Sequence, residues 1–161
     1  MTPERSIHTV VHCGYRVDLH AENRRGIRIF REDSLIAVWM EDDGPKYPSS
    51  QFGTGIRPSS TVFCRKNGTI SLRVRNAPAP VLITRELTVT PVDRQRVTDV
   101  TCAPGDRILL LSNRACQDAP FLVDGIMAMP PARVRAADPV ELLLRLLREA
   151  PEAAGALITV L

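Results

Sequence analysis

Short apolar runs, each closed by a turn signal, fill the first two-thirds of the chain, and this punctuation limits the fold most. Asn67-Gly68 is the strongest such signal, because both residues tolerate the positive φ of a tight hairpin turn. It leads into Thr69-Ile70-Ser71-Leu72-Arg73-Val74-Arg75, where Ile70, Leu72 and Val74 alternate with polar residues. Period two puts those three side chains on one face, so a half-buried strand is expected. Strands are also expected over 7–19, 27–30, 34–40, 61–65, 81–85, 87–90, 96–101 and 107–112. Between them, residues 45–60 are dense in Gly, Pro and Ser and lack any period, which predicts a mobile loop.

The period then changes. A short helix is expected over 121–129, closed by Pro130-Pro131. Asp138-Pro139-Val140-Glu141 reads as a helix start, with Asp as cap, Pro in the first turn and Glu able to reach back. That helix should run through the leucines to Ala150 and stop near Pro151, before a terminal strand over 156–161. Many strands followed by late helices predict an α+β fold: stacked, mainly antiparallel β-sheets in a sandwich, with a few helices on an outer face.

At 161 residues, 44% of them hydrophobic, the chain suits a single domain, 1–161, with its own core. Apolar runs such as Ile108-Leu109-Leu110-Leu111 are far too short to span a bilayer, so no membrane partner is expected. The start, Met1-Thr2-Pro3-Glu4-Arg5, lacks the apolar stretch of a signal peptide, which predicts a cytoplasmic setting. The net charge of +3 comes from arginines interleaved with acids, as in Asp93-Arg94-Gln95-Arg96. Nucleic-acid binders cluster their basic residues, so nucleic acid is not expected as a partner. Lys46 and Lys66 are the lysines among 21 basic residues, and this Arg excess fits a GC-rich bacterial genome.

Cys13, Cys64, Cys102 and Cys116 show no two-residue spacing of a zinc or redox motif, and read as small buried hydrophobes. His8 and His12 would share a strand face, yet no further ligand is spaced to complete a metal site with Cys13. His12-Cys13-Gly14-Tyr15-Arg16 has the His-Cys start of a phosphate-wrapping loop, but only Gly14 and Tyr15 separate Cys from Arg. Too few backbone amides remain to enclose a phosphate.

Several collinear segments resemble a known family. Ser71 to Leu82, with Asn76-Ala77-Pro78-Ala79-Pro80 at its centre, is similar to the Asn-Ala-Gly-His-x-Pro-Pro segment of bacterial metal-dependent protein phosphatases. Pro104-Gly105-Asp106-Arg107-Ile108-Leu109-Leu110-Leu111-Ser112 resembles their Pro-Gly-Asp-x-Leu-Leu-Leu-x-Ser/Thr-Asp-Gly segment. The capped leucine-rich helix and Leu157-Ile158-Thr159-Val160-Leu161 resemble their closing helix and strand. Arg28-Ile29-Phe30-Arg31-Glu32-Asp33-Ser34 is more distantly similar to the Arg-x-x-Asn-Glu-Asp strand near the family's start. The family is the protein phosphatase 2C-like group, including the bacterial branch that acts on sigma-factor regulators. On this resemblance Asn76, Pro80, Pro104, Gly105, Asp106 and Ser112 are structural matches.

The resemblance implies two Mn²⁺ or Mg²⁺ ions held by carboxylates, which lower the pKa of an attacking water. The matching positions are mostly emptied of charge. Asp33 fits the first ligand, the Asp-Gly-x-Gly turn has no match, and Asp43-Gly44 arrives too early. The Asp after the Pro-Gly-Asp strand is Asn113, followed by Arg114, and the acidic pair before the last strand falls on Ala154-Gly155-Ala156. An active member would rest on Asp33 and Asn113, and any metal on Asp33 and Asp43. The expectation is therefore a shortened, degenerate member with no cofactor, in which the 45–60 loop replaces the family's central helices. It would be a regulatory or scaffolding module binding another protein, such as a kinase or a sigma-factor regulator, or a second copy of itself. The alternative is a divergent Mn- or Mg-dependent serine/threonine phosphatase recruiting Asp33, Asp42 or Asp43, and Asp118. A third class would grip phosphate through Arg31, Arg57 or Arg114.

Overall fold

The computed structural model describes residues 7–21, 27–41, 59–75, 80–84, 88–89, 97–112, 115, 119–148 and 153–161. The first apolar stretch is a hairpin and not one strand: β1 (Ile7–His12) turns at Cys13-Gly14 into β2 (Tyr15–Ala21). Cys13 and Gly14 both have positive φ, 43° and 91°, the backbone of a two-residue hairpin turn. A second hairpin joins β3 (Ile27–Glu32) to β4 (Leu35–Glu41) through Asp33-Ser34. β5 (Ser59–Arg65) starts within the stretch expected to be loop, since Ser59 and Ser60 pair with Glu41 and Met40. Residues 45–58 of that stretch lie outside the described residues.

β6 (Thr69–Arg75) follows the expected Asn67-Gly68 turn, where Gly68 has φ of 87° and Asn67 Oδ1 accepts from Thr69 N. Then come β7 (Val81–Ile83), β8 (Thr88–Val89), β9 (Val97–Thr101) and β10 (Arg107–Leu111). The helices whose full range is described are α1 (Leu122–Ala128), α2 (Pro131–Ala136) and α3 (Pro139–Leu147), and β11 (Ala154–Val160) closes the described fold. Pro130-Pro131 was expected only to stop a helix. It also starts one, because Pro131 takes the first position of α2, where its missing N–H costs nothing.

Two antiparallel sheets result, ordered β1-β2-β11-β10-β7-β8 and β3-β4-β5-β6-β9. Their facing sides enclose one core, with Val17, Ile108, Leu110 and Ile158 from the first sheet against Ile36, Val38, Val62 and Leu72 from the second. The outer face of the first sheet carries the helices, whose Val134, Leu142, Leu143 and Leu147 pack over Leu109, Leu111 and Leu157. β10 and β11 are therefore buried on both faces, which explains their unbroken apolar runs. The fold is the expected α+β sandwich. No described helix is long and apolar enough to cross a membrane.

Hydrogen bonds between the sheets fix which ends lie together. Tyr15 Oη donates to Arg65 O and His12 Nε2 contacts Glu32 O, while Cys102 N donates to Gly68 O within the second sheet and carries the β6–β9 ladder past its last pair. One end thus gathers the turns at Cys13-Gly14, Asp33-Ser34, Asn67-Gly68 and Pro104-Gly105. The other end gathers Ala21, Ile27, Glu41, Ser59, Arg75, Ser112 and Ala154.

Candidate functional site

The resemblance points to the second of these ends, where β10 leaves the sheet and β11 enters it. Ser112 closes β10 there. Its Oγ accepts from Ala115 N at 3.3 Å and Ala154 N at 3.1 Å, and its own N–H donates to Ala154 O. The hydroxyl is therefore spent on holding the loop after β10 against the start of β11. Pro80, the other described match at this end, is buried just before β7.

The turn into β11 is apolar and tightly packed. Ala153 is 1% exposed, Ala156 is fully buried in the core, and Gly155 is buried beneath α3. A Cβ at Gly155 would stand 2.9 Å from Leu147 Cδ1 and 3.4 Å from Leu143 Cδ1. A carboxylate has no room there, and its desolvation would be costly without a counter-charge. Hard divalent ions need several anionic oxygens. Among the described residues, no group of three or more His, Cys, Asp and Glu side chains is placed to hold a metal. The described residues of this end do not fit the metal pair that the resemblance implies.

Asp33 lies elsewhere. It is exposed in the β3–β4 turn, at the end opposite Ser112. β4 separates that turn from Glu41, and seven strand residues span roughly 20 Å. Asp33 therefore cannot share an ion with the described groups beside Ser112. Asn113, Arg114, Asp42, Asp43, Asn76, Asp118 and Arg57 fall outside the described residues. Arg31 is exposed on β3. His8 is exposed on β1, and His12 is engaged with Glu32 O, so the two do not build a site with Cys13.

Pro104-Gly105-Asp106 is structural and sits at the Asp33 end. The buried Asp106 accepts from Ala103 N through Oδ2 at 2.9 Å, tying the turn to itself. Arg135 of α2 clamps the same turn: Nε donates to Gly105 O at 3.0 Å, Nη2 to Pro104 O at 3.2 Å, and Nη2 lies 3.8 Å from Asp106 Oδ1. The residues alone did not reveal this partner, since thirty positions separate Arg135 from Gly105.

A buried charge cluster also escaped notice. Asp18 is fully buried on the helix-facing side of β2, accepting from Thr9 Oγ1 at 2.6 Å and from Arg16 Nε at 3.1 Å. Arg107, 5% exposed, donates through Nη1 to Val134 O at 2.6 Å. Burial lowers the pKa of its guanidinium, and the Asp18 carboxylate opposes that shift. The cluster ties β2, β10 and α2 together. A trace was legible, since Arg16 and Asp18 alternate with apolar Tyr15, Val17 and Leu19 on what must be a second buried face.

No protein-family model matches the sequence, and no curated protein matches it. Solved structures do match in shape. The structure of RsbX in complex with magnesium superposes with a TM-score of 0.65 at 6% identity, covering 94% of this chain and 98% of that one. A bacterial stressosome structure matches at TM-score 0.60 and 11% identity, over 90% of this chain and 97% of that one. The phosphatase domain of SpoIIE from Bacillus subtilis, a PP2C domain, matches at TM-score 0.58 and 8% identity, over 92% and 93%. Identities this low carry architecture alone. In architecture, the chain has the protein phosphatase 2C-like fold.

Proposed function

We propose that the chain is a non-catalytic, phosphatase-like regulatory or scaffolding module, a single domain over 1–161 that binds another protein in the cytoplasm. The observation that carries this reading is the turn into β11. Where the family presents an acidic pair to a dication, this chain packs Gly155 beneath Leu147 and Leu143 and buries Ala156 in the core between the sheets. A phosphatase that has lost this turn lacks the negative oxygen cage that makes a bound water nucleophilic at neutral pH. Asn113-Arg114 in the sequence points the same way, since a guanidinium repels a dication at close range.

The outer face of the second sheet supports a binding role. The described helices pack on the first sheet, while Leu35, Trp39 and Phe63 are only half-buried on the second. Phe30 beside them is 52% exposed, and Arg28 stacks 5.3 Å from the Trp39 ring centroid. Apolar surface of this kind marks contact sites. Structures of the same fold are described as a stressosome component and a cell fate determinant, settings consistent with a partner that is a kinase or a sigma-factor regulator.

Calorimetric titration of the full chain with Mn²⁺ tests the reading. It predicts no saturable heat. A saturable site lost on Asp42→Ala, Asp43→Ala or Asp118→Ala would overturn it in favour of the divergent phosphatase.

A further inference from the structure

Among the described strands each sheet has two edges, and three of these four are guarded. β8 is only two residues long, β3 carries Arg28, Arg31 and Glu32, and β9 carries Asp99. Short length and charge are the usual ways to keep an edge from pairing. β1 has neither. Its six residues, Ile-His-Thr-Val-Val-His, include no Asp, Glu, Lys, Arg, Pro or Gly, and they pair one-to-one with β2 from Ile7↔His20 to His12↔Tyr15 without a bulge. No other described strand pairs with β1.

The two-residue turn also fixes which backbone groups face outward. His12 and Tyr15 flank it and exchange both hydrogen bonds, so by alternation Val10 and His8 bond to β2. The N–H and C=O groups of Ile7, Thr9 and Val11 then point to the open edge. The same three side chains share the outer, helix-bearing side of the sheet, where Ile7 packs on the helix-side core and Val11 is 62% exposed.

We propose that this edge pairs with β1 of a second copy, antiparallel about a two-fold axis at Thr9, extending the first sheet across two subunits. The register is self-complementary. Thr9 faces Thr9 of the partner subunit, and Ile7 faces Val11 of the partner subunit in both symmetric positions. Every pair matches outward-pointing backbone groups, and each exchanges two hydrogen bonds. Exposed Val11 gains an apolar neighbour that already belongs to the core cluster, which a register shifted by one residue would deny it. A two-fold contact reuses one patch twice and closes, so the assembly stops at the dimer.

Sedimentation equilibrium of the full chain, from about 5 to about 500 µM, reads the association directly over the range set by a small interface. The expected result is a mass rising to that of the dimer. Thr9→Pro removes an outward N–H that β2 does not use, a place where edge strands accept proline. Val11→Lys puts a charge beside Ile7 of the partner subunit. Both variants should associate at least ten-fold more weakly; Val11→Lys should do so with unchanged circular dichroism and Tm, whereas Thr9→Pro also removes the Thr9 Oγ1 bond to buried Asp18 and should lower Tm. Should Thr9→Pro fail to fold, Val11→Lys decides alone, because its side chain is exposed in the isolated chain. A wild-type monomer throughout, or variants that associate like wild type, would overturn the proposal.

Discussion

At Gly155 an added methyl group meets Leu147 and Leu143 of α3 at 2.9 and 3.4 Å. Gly155→Ala should cost about 1–3 kcal/mol in urea denaturation, the range for overpacking a filled core, and Gly155→Asp should cost more because it also buries a charge. Ala154→Asp, at a half-buried neighbour, should be tolerated. Burial acts on titrating groups as well. It pushes the Tyr15 hydroxyl from 10.0 up to about 12 and the Cys102 thiol from 9.0 up to about 11. The folded chain holds these protons where the unfolded chain gives them up, so their contribution is complete below about pH 9 and is lost as pH rises towards 12. Urea midpoints measured from pH 8 to 12 should fall across that window. Cys102→Ala should flatten the lower half of the fall, between about pH 9 and 11.

Local chemistry made some elements legible and hid others. Asp138 caps α3 as expected, its Oδ1 accepting from Val140 N at 2.9 Å and Glu141 N at 3.2 Å. Asp138→Ala should lower stability by about 1 kcal/mol, whereas Leu143→Ala should cost about 2–5 kcal/mol because the cavity opens against β11. Thermal unfolding of the two variants separates capping from packing. The β1–β2 hairpin was not legible, since its turn places Cys13 at positive φ, a conformation that cysteine does not advertise. α2 was hidden by its own first residue: Pro131 can end one helix and begin another, and only packing of Val134 decides. The position of Asp33 was hidden for a similar reason. Its neighbours resemble a strand motif, but Asp33-Ser34 is the turn between two strands, and turning there puts the carboxylate at the end of the sandwich opposite Ser112.

Across the whole molecule, the layering of helices, first sheet and second sheet followed from where the hydrophobic period changes. The arrangement of the candidate site did not, because which turns meet at one end depends on strand order. β11 runs between β2 and β10, far from both in sequence, and that insertion alone brings Ser112 to Ala154. With this order known, the described residues where β10 leaves the sheet and β11 enters it are a serine whose lone pairs are engaged and a packed alanine-glycine turn. The most direct test is Mn²⁺-dependent hydrolysis of an aryl phosphate by the full chain. The account predicts no metal-dependent release above the protein-free rate, and saturable turnover that requires Mn²⁺ would contradict it.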